Sequence, residues 1–201
     1  MATPTRRNAI SRFQRWSRRY ERSWLQSRFF GPAQQAVLEI MEQHVPTQPN
    51  AVLDVGCGTG RLLRAIHERW PDAVLTGVDP TAGMVEMARE LTPYATFKLS
   101  FAEELPLPDA SFDVVTSTFS FHHWSNQAAG LREIARVLQP EGHFFLADAV
   151  MPGWLARFLP VERFRRPDQV QSLFQQAGLR VLHQQVAVYD WVLITGGRKM
   201  V

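Results

Sequence analysis

Val52-Leu53-Asp54-Val55-Gly56-Cys57-Gly58-Thr59-Gly60 is the stretch on which the fold turns. Apolar residues running into glycines at alternate positions predict a strand that stops at a tight turn, where backbone must approach a ligand closely. Outward from it the chain alternates short apolar strands with helices. Strands are predicted over Ala51–Val55, Val74–Val78, Thr96–Leu99, Phe112–Thr118 and Gly142–Ala147, and helices over 61–69, Thr81–Leu91, 127–138 and Asp168–Ala177. Such alternation implies a parallel sheet covered by helices on both faces. Two further runs, Leu179–Val186 and Val188–Thr195, leave no room for a helix between them and must pair antiparallel.

Before the sheet, residues 8–30 predict a helix with Ile10, Phe13, Trp16, Tyr20 and Trp24 on one face. Gly31-Pro32 is expected to break it, and a second helix with Ala36, Val37, Ile40 and Met41 apolar follows, ending near Val45-Pro46. The expected organisation is a helical lid segment over 1–48 and a ligand-binding domain over 49–201, in one compact unit. That is the size for which a single buried core is ordinary.

Composition removes several classes. Hydrophobic residues make up 45% and charged residues 20%, as in a soluble globular chain and unlike a disordered one. No stretch has the apolar length of a membrane span, and the arginine-rich start lacks the apolar core of a secretory signal. The single cysteine, Cys57, forms neither an internal disulfide nor a zinc cluster, and the six histidines show no ligand spacing, so no metal is expected. A cytoplasmic protein fits. Net charge is +3, yet residues 1–30 hold eight arginines against one acid, while the remainder has fourteen basic and eighteen acidic residues. The basic arm suggests peripheral contact with anionic lipid, or a solvated helix face. The acidic body offers no second basic groove, so nucleic acid is not an expected partner.

Three ligands compete for the glycine loop. A phosphate loop needs Gly-Lys-Ser/Thr, but Arg61 follows Gly60; a dinucleotide site wants G-x-G-x-x-G, but the spacing is G-x-G-x-G. Asp54 at the loop's mouth repels a pyrophosphate and attracts a cation. S-adenosylmethionine, with a sulfonium, an ammonium and no phosphate, fits best. Asp79, ending the second strand, is placed to accept from both ribose hydroxyls, or to cap the segment after Pro80.

The chain resembles the class I S-adenosylmethionine-dependent methyltransferases, and within them the ubiquinone/menaquinone-biosynthesis-like subgroup. The matching stretches are Val52–Gly60, Gly77–Arg89, Ala102–Pro106 through Ser111–Asp113, and Leu131–Gly142; Trp16-Ser17 and Tyr20-Glu21 resemble the group's W-A-x-x-Y-D helix. The resemblance implies a Rossmann-like doubly wound α/β sheet, mostly parallel, of seven strands with a C-terminal antiparallel hairpin and added N-terminal helices. It implies Gly56, Cys57 and Gly58 along the methionine part of the cofactor, with Asp54 supporting its ammonium. Asp79 would hold the ribose, Pro80 and Met84 would pack on adenine, Ala102 and Glu103 would border the adenine edge, and Thr118 would pass near the amino-acid moiety. The residue before Ala102 is commonly Asp in this group and accepts from the adenine amino group; here it is Phe101, a loss on the order of 1 kcal/mol that its backbone could offset in part.

Methyl transfer is an in-line displacement, so the protein chiefly positions a nucleophile, and a base serves only an acceptor that must shed a proton. His122 and His123, after the fourth strand, are candidates for that base, or else pack and cap the next helix. Asp148, ending the fifth strand, is a substrate-side candidate or a loop acceptor, and Tyr20 closes over the cofactor or simply packs. The segment Met151–Arg166 is expected to complete the lid, with Trp154, Leu155, Phe158 and Leu159 suiting a small or lipophilic acceptor. The functions in view are therefore transfer of a methyl group to a small molecule, the same chemistry at a membrane surface on a lipid or quinone, and a non-catalytic S-adenosylmethionine-binding module.

Overall fold

A computed structural model describes residues 26–150 and 164–200. The predicted helix over 8–30 lies mostly outside them. Its described end, Gln26–Phe30, is a π-helical turn that runs directly into helix α1, Gly31–His44. Gly31-Pro32 therefore does not break the chain but opens α1, because proline is tolerated in a first turn, where no backbone donor is needed.

The remaining elements are β1 Ala51–Val55, α2 Arg61–Arg69, β2 Val74–Asp79, α3 Ala82–Leu91, β3 Thr96–Leu99, β4 Phe112–Thr118, α4 Gln127–Val137, β5 Leu138–Ala149, α5 Pro167–Gln176, β6 Leu179–Ala187 and β7 Val192–Lys199. They build one seven-stranded sheet in the order β3-β2-β1-β4-β5-β7-β6. The first five strands pair in parallel and β7 pairs antiparallel with both β5 and β6, as the sequence predicts.

Period-two alternation sends side chains to two separate cores. Val52, Val114, Phe145, Ala147 and Ile194 face one cluster, with α1, α2 and α3 over them; Leu53, Val55, Val115, Phe144, Leu146 and Leu193 face the other, beneath α4 and α5. From α1 come Ala33, Val37, Leu38, Ile40 and Met41, all buried. The start of β1 is tied across the sheet, since Asp113 Oδ2 accepts the backbone N–H groups of Asn50 (2.6 Å) and Ala51 (2.8 Å).

The last strand departs from expectation. It begins at Val192, not Val188, and runs through Gly196-Gly197 to Lys199. Val188, Tyr189 and Asp190 form the turn with φ of 50°, 59° and 64°, a left-handed run that contains no glycine to announce it. Gly196 and Gly197 look like a strand end but are packing sites. A Cβ on Gly197 would lie 2.8 Å from the Phe174 ring, and one on Gly196 3.2 Å from the Phe145 ring. Aromatic rings from both faces fill the space those residues leave. No described helix is long and apolar enough to cross a membrane.

Candidate functional site

The glycine loop leaves β1 beyond the carboxyl end of the sheet and is held by β2: Gly56 and Cys57 both donate to the Val78 carbonyl, at 2.8 and 3.0 Å. Gly56, Gly58 and Gly60 all have positive φ. At Gly56 the requirement is double, because a Cβ there would also lie 2.2 Å from Ser120 Cβ. Ser120 is itself pinned. Its hydroxyl donates to the Val55 carbonyl (3.0 Å), meets Ser117 Oγ (2.7 Å) and accepts from Trp124 Nε1 (3.1 Å).

Two buried carboxylates flank the loop. Asp54 is 1% exposed and accepts from the Thr116 hydroxyl at 3.0 Å. Burial pushes its carboxyl up to about 7, against the Thr116 hydrogen bond, and the charge of Asp79 adds to the rise. Asp79 is 7% exposed and is also raised by burial, although the backbone N–H groups of Thr81 (2.8 Å) and Gly58 (3.0 Å) donate to its two oxygens. Asp79 thus ties the loop to the start of α3, and the residue at the N-cap position of α3 is Thr81.

A cavity open to solvent lies against this loop. Its lining includes Gly56, Gly58, Asp79, Pro80, Met84, Phe101, Ala102, Glu103, Thr118 and His123 among the residues singled out from sequence, and Phe119, Ser120 and Trp124, which were not. Among the described residues, two acids and no lysine or arginine line it. Those acceptors suit a ligand bearing hydroxyls and positive charge and oppose a pyrophosphate. Four predicted residues stand off the lining: Asp54, Cys57, His122 and Asp148. Asp54 lies beneath the loop, and the Cys57 thiol, raised further by burial, turns into the core beside Gly77 and Phe97. Asp148 backs the wall. Tyr20 and the segment Met151–Arg166 up to residue 163 fall outside the described residues.

The wall carrying Phe101–Glu103 is clamped from α4. Arg136 donates to the Leu105 and Leu107 carbonyls (2.9 and 2.8 Å), to Asp109 (2.6 Å) and to both oxygens of Glu133, and Glu133 accepts the Leu105 N–H at 2.9 Å. The Arg136 bonds hold Glu133 below the usual carboxylate range. Glu103 completes the wall by accepting from the backbone of Ser125 (2.7 Å) and Asn126 (3.2 Å). Sequence reasoning missed Arg136, Glu133 and Ser120. The first two lay inside the quoted Leu131–Gly142 stretch, but their reach to the loop needs the fold.

Past β4 the chain makes a short 3-10 turn, Phe121–His123. Here the structure joins two residues that the sequence had nominated separately. His122 Nδ1 is 2.6 Å from Asp148 Oδ1, and Asp148 Oδ2 accepts the His122 backbone N–H at 2.7 Å. His123 packs its ring 3.9 Å from that of His122 and faces the cavity. Phe119, on the lining, is backed by Phe29 and Phe30 at ring distances of 5.3 and 4.6 Å. The Gln34 amide donates to the Thr118 hydroxyl at 3.4 Å.

Comparison with known proteins agrees with this geometry. The methyltransferase-domain family matches residues 53–146, and an AprA MT2-like domain matches 12–75. The demethylmenaquinone methyltransferase of Symbiobacterium thermophilum is 31% identical, with 74% of this chain and 75% of that protein covered. That of Thermotoga maritima is 30% identical over 76% of this chain and 66% of its own length. Other curated relatives are spanned for a smaller share of their length, 41% and 45% in two cases. Among solved structures, an S-adenosylmethionine-dependent methyltransferase from Aquifex aeolicus superposes with a TM-score of 0.74 at 21% identity, covering 94% of this chain and 97% of that one. One from Mesorhizobium loti gives 0.69 at 20% identity, covering 84% and 99%. These two show the shared fold.

Proposed function

Because the chain belongs to the class I S-adenosylmethionine-dependent methyltransferases, we propose that it transfers the methyl group of S-adenosylmethionine to a small or lipophilic acceptor. The observation that carries this reading is the cavity at the glycine loop, lined by Asp79 and Glu103 with no lysine or arginine among the described residues. In this reading Asp79 accepts from the ribose, Pro80, Met84 and Ala102 flank the adenine, and Phe101 supplies only its backbone to the adenine amino group. Gly56 and Gly58 lie along the methionine end, beside Cys57 in the loop, and Asp54 lends charge from beneath. Thr118 stands where the amino-acid moiety meets the acceptor. When bound, the cofactor supplies an electrophilic methyl group on its sulfonium, and the protein positions the attacking atom and excludes water.

The demethylmenaquinone methyltransferases among the relatives make a hydrophobic, aromatic acceptor the first class to screen. The arginine-rich residues 1–30 support a peripheral membrane contact for a cytoplasmic enzyme working on such an acceptor. The lid role belongs, on this reading, to that arm and to Met151–Arg166.

Calorimetric titration tests the reading. Micromolar binding of S-adenosylmethionine and S-adenosylhomocysteine, with none of NAD⁺, is expected. Binding of NAD⁺ instead overturns the assignment, and cofactor binding with no transfer to any acceptor reduces the protein to a binding module. Co-sedimentation with anionic vesicles that does not depend on residues 1–30 removes the membrane contact.

A further inference from the structure

We propose that the tip of the β6–β7 hairpin, Val188–Trp191, docks on an anionic phospholipid surface and seats the cavity mouth against it; this rests on the membrane contact and the methyl-transfer reading above. Topology fixes where the tip lies. β7 runs antiparallel to β5, with Val192 opposite Ala149, and the Val150 N–H donates to the Trp191 carbonyl at 2.9 Å. The turn therefore stands at the carboxyl end of the parallel strands, the end at which the glycine loop and the cavity lie. Tyr189 is 72% exposed, more than any other large hydrophobic side chain among the described residues, and Val186 and Trp191 beside it are exposed as well.

The backbone is strained where the Tyr189 ring stands. Its φ is 59°, between Val188 at 50° and Asp190 at 64°, a left-handed run that glycine or asparagine would occupy with less strain. A bulky ring held there in water serves neither the turn nor the core. Tyrosine and tryptophan join an apolar body to a polar edge, and that combination settles in the headgroup layer of a bilayer. Charge selects the kind of bilayer. Phe29 and Phe30 pack against Phe119, just past the carboxyl end of β4, so the chain enters α1 from the same end as the hairpin tip. Arg28 is exposed there, and residues 1–30 bring eight arginines against one acid. Asp190 is the single acid of the turn. An anionic phospholipid surface answers that balance, with its headgroup layer for the aromatic rings and its phosphates for the arginines. Docked in this way, the molecule presents its cavity to acceptors dissolved in the bilayer.

Co-sedimentation of the full chain with phosphatidylcholine vesicles, with and without phosphatidylglycerol, tests the tip apart from the arm. The wild type is expected to bind the anionic vesicles alone, and less as salt rises. Tyr189→Asn suits the left-handed backbone, so its urea midpoint is expected to equal or exceed that of the wild type while its partition onto vesicles falls by about fivefold to tenfold. Asp190→Asn is expected to bind more tightly, and weaker binding overturns the choice of an anionic surface. Brominated lipid is expected to quench part of the tryptophan emission, and Trp191→Phe to remove a share of that quenching. Unchanged partition in Tyr189→Asn overturns the proposal and leaves a contact through the arm. A dimer in sedimentation velocity that Tyr189→Asn dissociates also overturns it, because the tip is then covered by a second copy. A wild type that binds S-adenosylhomocysteine but neither vesicle overturns the proposal together with the membrane contact and leaves the methyl-transfer reading standing. A wild type that binds neither S-adenosylmethionine nor S-adenosylhomocysteine overturns that reading, whatever the vesicles show.

Discussion

Replacing Gly56 by alanine sets two independent costs against the fold. The residue has φ of 76°, where a Cβ is strained, and that Cβ would lie 2.2 Å from Ser120 Cβ and 2.4 Å from its Oγ. Ser120 cannot rotate away cheaply, because the near contact is with its own Cβ and its hydroxyl serves Val55, Ser117 and Trp124. The left-handed backbone costs about 1–2 kcal/mol and displacing the three-way hydrogen bond about 3 kcal/mol, so Gly56→Ala loses about 4–5 kcal/mol. In a Ser120→Gly background those bonds are already gone and the obstacle is absent, leaving about 1–2 kcal/mol for the same substitution. Urea unfolding of the four proteins of this cycle, followed by tryptophan fluorescence, measures the coupling, expected at about 3 kcal/mol. Equal costs for Gly56→Ala in both backgrounds would refute the packing argument. The backbone-strain argument would survive alone.

Two other perturbations probe the walls of the site. Asp54 is raised from 3.8 to about 7, so between those values the folded chain keeps a proton that the unfolded chain has lost. Stability must therefore fall as pH rises from about 4 to about 7, by about 4 kcal/mol from this group. Asp54→Asn still accepts from Thr116 and cannot ionise; urea midpoints across that range should flatten in the variant, and an unchanged slope refutes the burial argument. Arg136→Lys keeps the charge but not the fork that reaches two carbonyls and two carboxylates. It is expected to lose about 2 kcal/mol of stability and to weaken S-adenosylmethionine binding several-fold by loosening the Phe101–Glu103 wall. Calorimetry showing wild-type affinity would mean that the clamp does not shape the cavity.

The legible parts of the fold were those carried by local pattern. Apolar runs such as Val114-Val115 and Phe144-Phe145 set the parallel strands, and the missing helix between the last two runs set the antiparallel hairpin. Asp79 was found because strand end, loop and acid lie at a regular interval along the chain. The hairpin turn was misplaced because Val188 looks like a strand residue, and its left-handed φ is imposed by the pairing of Ala187 with Val192. The strand runs on through Gly196-Gly197 because the Phe145 and Phe174 rings that occupy the space beside them come from other elements, which no local pattern shows.

The site divides in the same way. His122 and Asp148 were each nominated from the end of a strand, and their meeting follows from one fact of topology. β4 and β5 are parallel neighbours with Thr118 opposite Ala147, so the residues just past that register rise side by side. Strand order was the missing step, and it was inferable. Arg136 differs in kind: its partners lie 27 to 31 residues away at Leu107, Asp109 and Leu105, in a loop whose path no local pattern fixes. Ser120 is a small residue whose importance appears only against Gly56, and neither is informative without the other. Residues whose role is a property of one strand end can be read from a chain, whereas residues whose role is a distance cannot. The glycine loop shows both, since its spacing announces a ligand while the reason for its first glycine is a serine sixty-four positions on.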